Sequence, residues 1–163
     1  MNRPLLLALV MALGACSPAL DWREARPEGA DVQLMFPCKP ELHQRADAHM
    51  GLARCEAAGL EFSLSWAEVP DPTLANAALG KMRESLAAKL GGPAGPPQAF
   101  RAEGMTPSPE ALSQQVGGSR PAQLAVFAKG AKVYQAVMSG AHADPTAWES
   151  FAGSIRILDA ARS

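Results

Sequence analysis

Leu60, Phe62, Leu64 and Trp66 alternate with Glu61, Ser63 and Ser65, the period of two that sends one face of a strand into a core and leaves the other in water. Val32, Leu34 and Phe36 alternate in the same way with Gln33 and Met35. Pro37 follows and ends that first strand, because proline cannot donate to a ladder. A second strand is expected over Gly51 to Ala57, closed by a turn at Ala58-Gly59, while the polar run Leu42 to His49 carries no pattern. Later, Arg120 to Ala128, with Leu124, Val126 and Phe127, and Lys132 to Ser139, with Val133, Tyr134, Val137 and Met138, flank Lys129-Gly130-Ala131. This is the outline of an antiparallel hairpin. Gln98 to Met105 carries a fainter strand pattern. Glu110 to Val116 fits a short helix or a strand, and the Gly117-Gly118 that follows favours the strand.

Two segments carry the longer period of a helix. Asp71-Pro72-Thr73 is a helix start, since aspartate accepts the orphan amides of the first turn and proline at the first position loses nothing by lacking an N–H. Ala75, Leu79, Met82, Leu86 and Leu90 then form a stripe, with Lys81, Arg83, Glu84 and Lys89 largely off it. Gly91-Gly92-Pro93 ends the helix. Asp144-Pro145-Thr146 repeats the start signal, and Trp148, Phe151, Ala152 and Ile155 mark the buried side of a second helix, with a short strand expected over Ile155 to Leu158. The run from Gly91 to Pro97 is read as a loop within one domain, a domain boundary being the alternative. Neither half alone has enough strands and helix to close a core.

Before the first strand, Asn2-Arg3-Pro4 gives a short positive start, and Leu5 to Leu13 is an apolar run too short for a spanning helix, which needs about 20 residues. The stretch Leu13-Gly14-Ala15-Cys16 resembles the lipobox of bacterial lipoproteins. That resemblance implies cleavage after residue 15 and lipidation of Cys16, by a diacylglycerol on the thiol and an acyl chain on the new amino terminus. Several buried chains, each methylene contributing about 0.8 kcal/mol, make such an attachment effectively permanent. Ser17 in place of aspartate implies sorting to the outer membrane, facing the periplasm. Residues 16–30, rich in Pro, Gly and charge, are expected to be a tether reaching at most about 50 Å, with Trp22 docked on the domain where the flexible part ends. The domain itself is expected over 31–163.

Composition adds limits. Of 163 residues, 15 precede Cys16, which leaves one ordinary domain, and the 48% apolar and 19% charged fractions are those of a folded chain. Once Arg3 leaves with the signal, 14 Lys and Arg face 16 Asp and Glu, and no basic run offers nucleic acid a surface. With Cys16 consumed by lipid, Cys38 and Cys55 are left as a pair, which an oxidising compartment normally closes into one disulfide. That bridge is expected to join the first strand to a neighbouring second strand.

The motifs of nucleophile elbows, zinc hydrolases, phosphate loops and dinucleotide folds are absent from the sequence, so no catalytic residue and no cofactor is expected. His43 and His49, with Glu41 and Asp47 nearby, could hold zinc or copper, although histidines so spaced on a loop are usually solvated, and no metal site is assigned. His142 is given no role. Trp66, Trp148, Phe62 and Phe151 could line a cleft, but their places on strand and helix stripes favour core packing.

The order strands, helix, strands, helix, with Phe36-Pro37 closing the first strand, Val133-Tyr134-Gln135 in a late one and Phe151-Ala152-Gly153-Ser154-Ile155-Arg156 at the end, resembles PsbP-like domains. It is most similar to small proteobacterial lipoproteins of that outline, over residues 31 to 158. The resemblance implies an α+β domain, an antiparallel sheet with two helices packed on it in an α/β/α sandwich. It also implies an accessory or binding role for an envelope protein partner rather than an enzyme. A periplasmic small-ligand or metal carrier is the alternative, and a hydrolase assembled only in three dimensions a further one.

Overall fold

The alternating segments become strands, and their registers sort the side chains into two faces. In the computed structural model, which describes residues 19–159 except 46 and 48, the strands are β1 Arg23–Ala25, β2 Val32–Phe36, β3 Glu41–Arg45, β4 Met50–Ala57, β5 Leu60–Glu68, β6 Gln98–Ala99, β7 Leu112–Val116, β8 Ala122–Lys129, β9 Lys132–Gly140 and β10 Arg156–Ile157. The helices are α1, Ala75–Leu90, and α2, Pro145–Ala152. A seven-stranded antiparallel sheet runs β3-β4-β5-β9-β8-β7-β6, and a small sheet runs β1-β2-β10. Because β5 pairs with β9 along its whole length, a division of the chain at residues 91–97 would part the central strands.

One face of the large sheet carries Phe62, Leu64 and Trp66, opposite Met138, Ala136 and Tyr134. These side chains are buried in one cluster with Val32, Leu34 and Phe36 of β2 and Trp148 and Phe151 of α2. Phe151 lies at the meeting point, 5.2 Å from the ring of Phe36 and 5.5 Å from that of Phe62. The other face carries Val126, Ala128 and Val133, covered by Ala75 and Leu79 of α1. The architecture is therefore α+β in three layers, with α1 on one side of the sheet and α2 with the small sheet on the other.

Both helix starts follow the capping chemistry of their sequence. Asp71 Oδ1 accepts from the Thr73 amide at 2.7 Å and from its hydroxyl, opening a 3-10 turn, Pro72–Leu74, that runs into α1. Those two bonds hold the Asp71 carboxyl below its ordinary pKa. Asp144 Oδ1 accepts from the Ala147 amide at 2.9 Å. At the other end of α1, Gly91 adopts φ 69, the left-handed conformation only glycine reaches freely, and its amide returns to Ala87 O.

Several expectations are corrected. The segment from residue 19 to 30 is not a free tether: Leu20, Trp22 and Ala25 pack against the core, Ala30 is buried, and β1 pairs with β2. Trp22 docks edge-on to Phe62 at 5.9 Å. The polar run after Pro40 forms β3, a sheet edge whose five residues are all exposed, held by register with β4 rather than by burial. Glu110 to Val116 is a strand from Leu112 on, whereas the strand in Gln98 to Met105 is confined to Gln98–Ala99. The first and second strands, β2 and β4, are not paired, because they lie in different sheets. The Cys38–Cys55 disulfide is present, with a Cα separation of 6.0 Å, and it ties the small sheet to the large one. Arg83 was expected off the α1 stripe, yet it turns towards the sheet.

Candidate functional site

Glu68 ends β5 and Lys132 begins β9, and their register sets them side by side. Lys132 also reaches the loop that leads into β2: its ammonium donates to Gly29 O at 3.0 Å, bonds the Asp31 carboxylate, and lies 3.7 Å from Glu68. Its side chain is only 15% exposed, so these oxygens replace most of its water. Two residue pairs further in, Tyr134 stacks on Phe127 at 4.9 Å and donates its hydroxyl to Ala30 O at 2.9 Å. The two β9 side chains thus hold the segment from Gly29 to Asp31 against the large sheet.

Around this clamp lies an open depression of about 390 Å³, lined by Glu28, Gln44, Arg45, His49, Trp66 and Glu68. Asp31 and His49 both hold left-handed backbone there, at φ 54 and 45, a region that aspartate and histidine enter more readily than most residues. Gly51, the β4 partner of Trp66, leaves room for the indole that lines the depression, because a Cβ at that position would stand 2.2 Å from the ring. His49 Nδ1 faces Glu68 at 3.9 Å. The site offers carboxylates, imidazole and guanidinium to a polar partner. Lys132 is no free nucleophile, since its donors are engaged by oxygens.

Burial raises the Tyr134 hydroxyl above its ordinary pKa, and the charges of Asp31 and Glu68 raise it further. A folded pKa above the unfolded one means that the contribution is complete below about pH 10 and is lost as pH rises beyond it. Tyr134→Phe should therefore cost about 1 kcal/mol at neutral pH, from the lost bond to Ala30. It should also flatten the alkaline fall in stability seen in the parent. Urea unfolding followed from about pH 8 to pH 11 checks both, and parallel curves for parent and variant would contradict this account of the tyrosine.

His43 and His49 are not brought together. His43 faces Glu41 at 3.8 Å on the edge strand, whereas His49 sits at the turn before β4 beside Glu68. Among the described residues no group of three or more His, Cys, Asp or Glu could hold a metal ion. His142 is exposed just after β9. Phe62, Trp66, Trp148 and Phe151 are core residues, and of the four only Trp66 touches the depression. Cys16, the expected lipidation site, lies outside the described residues.

Sequence reasoning missed the Asp31–Lys132–Tyr134 clamp. Asp31 lies about a hundred positions from Lys132 and Tyr134, and each passes as an ordinary loop or strand residue. It also missed a second polar link, in which Arg83 Nη1 donates to buried Gln114 at 3.2 Å and Gln114 donates to Gly95 O at 2.7 Å. The place of Gln114 between Leu112 and Val116 on one face of the strand was the one available signal. Beyond Leu79 the α1 stripe is only half-covered, and Ala78, Met82 and Leu86 border a shallow groove of about 460 Å³ with Lys81, Lys89 and Gln135.

The molecule is thus an α+β sandwich domain with a bridged end and a charged end. Among solved structures it is similar to the solution structure of cyanobacterial PsbP (CyanoP) from Synechocystis sp. PCC 6803, at 15% identity over 91% of this chain and 99% of that one, with a TM-score of 0.47. No family model matches the sequence, and no curated protein does.

Proposed function

We propose that the chain is a lipoprotein of the outer membrane, anchored through lipid on Cys16 and facing the periplasm, whose domain is a non-catalytic accessory or binding module for another envelope component. The observation that carries this reading is the use of the three cysteines. Cys38 and Cys55 form a disulfide between sheets, and a structural bridge of that kind persists in oxidising compartments. The third, Cys16, stands at the end of an apolar run in the setting of a lipobox. The charged end of the domain suits a polar protein surface, since its lysine is bonded to carboxylates and a carbonyl and its charges are arrayed around an open depression.

Cys16→Ser should move the protein from the membrane fraction to the soluble one, and intact-mass measurement of membrane-extracted parent protein should show the added diacylglycerol and acyl chains. An unmodified amino-terminal mass would dispose of the anchor. Recovery with inner-membrane fractions alone would overturn the sorting. A small-ligand carrier is the second reading, favoured by the groove beside α1, where Met82 and Leu86 lie between Lys81 and Lys89 and would suit an anionic amphiphile.

A further inference from the structure

We infer that the domain stands on the bilayer by its disulfide end, with the Asp31–Lys132 cluster at the far end facing the periplasm; this rests on the lipid anchor at Cys16. The chain is docked from Leu20 onwards, and the Asp21 amide donates to Pro37 O at 3.0 Å beside Cys38. Four peptide units separate Cys16 from Leu20, and a chain spans at most about 3.6 Å for each, so the lipidated residue lies within about 14 Å of the docked one. A tether of fifteen residues would have let the domain tumble freely. A span of four keeps the anchored residue close to the end where Leu20 docks.

The sheet registers fix which parts of the molecule share that end. Phe62, on which Trp22 packs, pairs with Cys55, and two pairs further along is the Ala57–Leu60 turn. Leu60 also pairs with Gly140, and the Ala141 amide donates to Gly59 O at 3.1 Å, so the chain from Ala141 to His142 lies at the same end. In the other direction β5 runs six residues from Phe62 to Glu68 at about 3.3 Å each, roughly 20 Å, and there meets Lys132. Lys129 and Leu158 belong to this far end: Lys129 pairs with Lys132 at the tip of the hairpin, and the Leu158 amide donates to Asp31 O at 2.8 Å. The bilayer is the surface approached by Leu20, Lys39, Ala58 and His142. The depression around Lys132 is carried away from the headgroups, where a periplasmic partner can reach it.

The test uses the full lipidated protein in vesicles of phosphatidylethanolamine and phosphatidylglycerol doped with a nickel-chelating lipid. Nitroxide labels are placed by His142→Cys or Ala141→Cys at the near end and by Lys129→Cys or Leu158→Cys at the far end, all four being exposed positions. Paramagnetic relaxation by headgroup nickel should be several-fold larger at either near label than at either far one. Equal relaxation at the two ends, or more at the far end, would overturn the orientation. Two labels at each end keep the comparison decisive if one variant misfolds. Intact mass of the same samples separates the two failures, because protein without lipid overturns both anchor and orientation, while lipidated protein with equal relaxation overturns the orientation alone.

Discussion

Phe151→Asp should unfold the domain at ordinary temperature. The side chain is fully buried and touches three elements at once, through Phe36 of the small sheet, Phe62 of the large sheet and Trp148 of its own helix, whose ring is 6.2 Å away. Removing a phenyl ring from such a site costs about 3 to 5 kcal/mol. A carboxylate put in its place has no partner within reach and adds several kcal/mol more. The sum is comparable to the roughly 5 to 15 kcal/mol that holds a domain together. Leu79→Asp should do the same from the opposite face, where Leu79 is fully buried between α1 and the sheet. Lys81→Asp is the control: Lys81 is exposed and should shift stability by no more than about 0.5 kcal/mol. Thermal melts monitored by near-ultraviolet circular dichroism separate the three, and a cooperative melt for Phe151→Asp close to the parent's would refute the packing described.

Breaking the Cys38–Cys55 bridge should lower stability by about 3 kcal/mol, the denatured-state entropy removed by closing a loop of about 16 residues. The consequence for the native state is sharper than that number. The bridge encloses β3, whose five residues are exposed and whose ladder neighbour is β4 alone. It also adds a covalent cross-link between the chain leaving the small sheet and the large one. A Cys38→Ser, Cys55→Ser double variant should therefore lose amide protection in β3 well before the central strands β5 and β9 do, since strands held by few buried contacts open first. Urea unfolding measures the loss of stability and hydrogen exchange its location. An unchanged midpoint, or exchange that speeds up uniformly, would show that the bridge does not govern this edge.

How much could be read beforehand differs from element to element for identifiable reasons. Strand β5 was legible because its four large apolar residues alternate strictly with polar ones, and a period of two has no other use. The two helix starts were legible because Asp-Pro-Thr places an acceptor and a residue without an amide where a first turn needs them, and both aspartates accept as anticipated. Strand β3 was not legible. Glu41, Leu42, His43, Gln44 and Arg45 bury nothing, and an edge strand held by backbone bonds to one neighbour leaves no hydrophobic trace. Arg83 was misplaced because a charged residue at the margin of a helical stripe can face outwards or reach inwards. Which it does depends on Gln114, 31 positions away.

By itself the sequence determined most of the local choices: the strands with one apolar face, the two capped helices, and that Cys38 and Cys55 are available as a pair. Those choices depend on neighbouring residues, on the side-chain period and on capping chemistry, all of which lie within a few positions of one another. Only the tertiary structure decided that β2 leaves the main sheet to pair with β1 and β10, that the disulfide joins two sheets, and that Asp31, Glu68, Lys132 and Tyr134 meet at one end. Such meetings are set by the register of strands distant in the chain, where a shift of one residue turns every side chain to the other face.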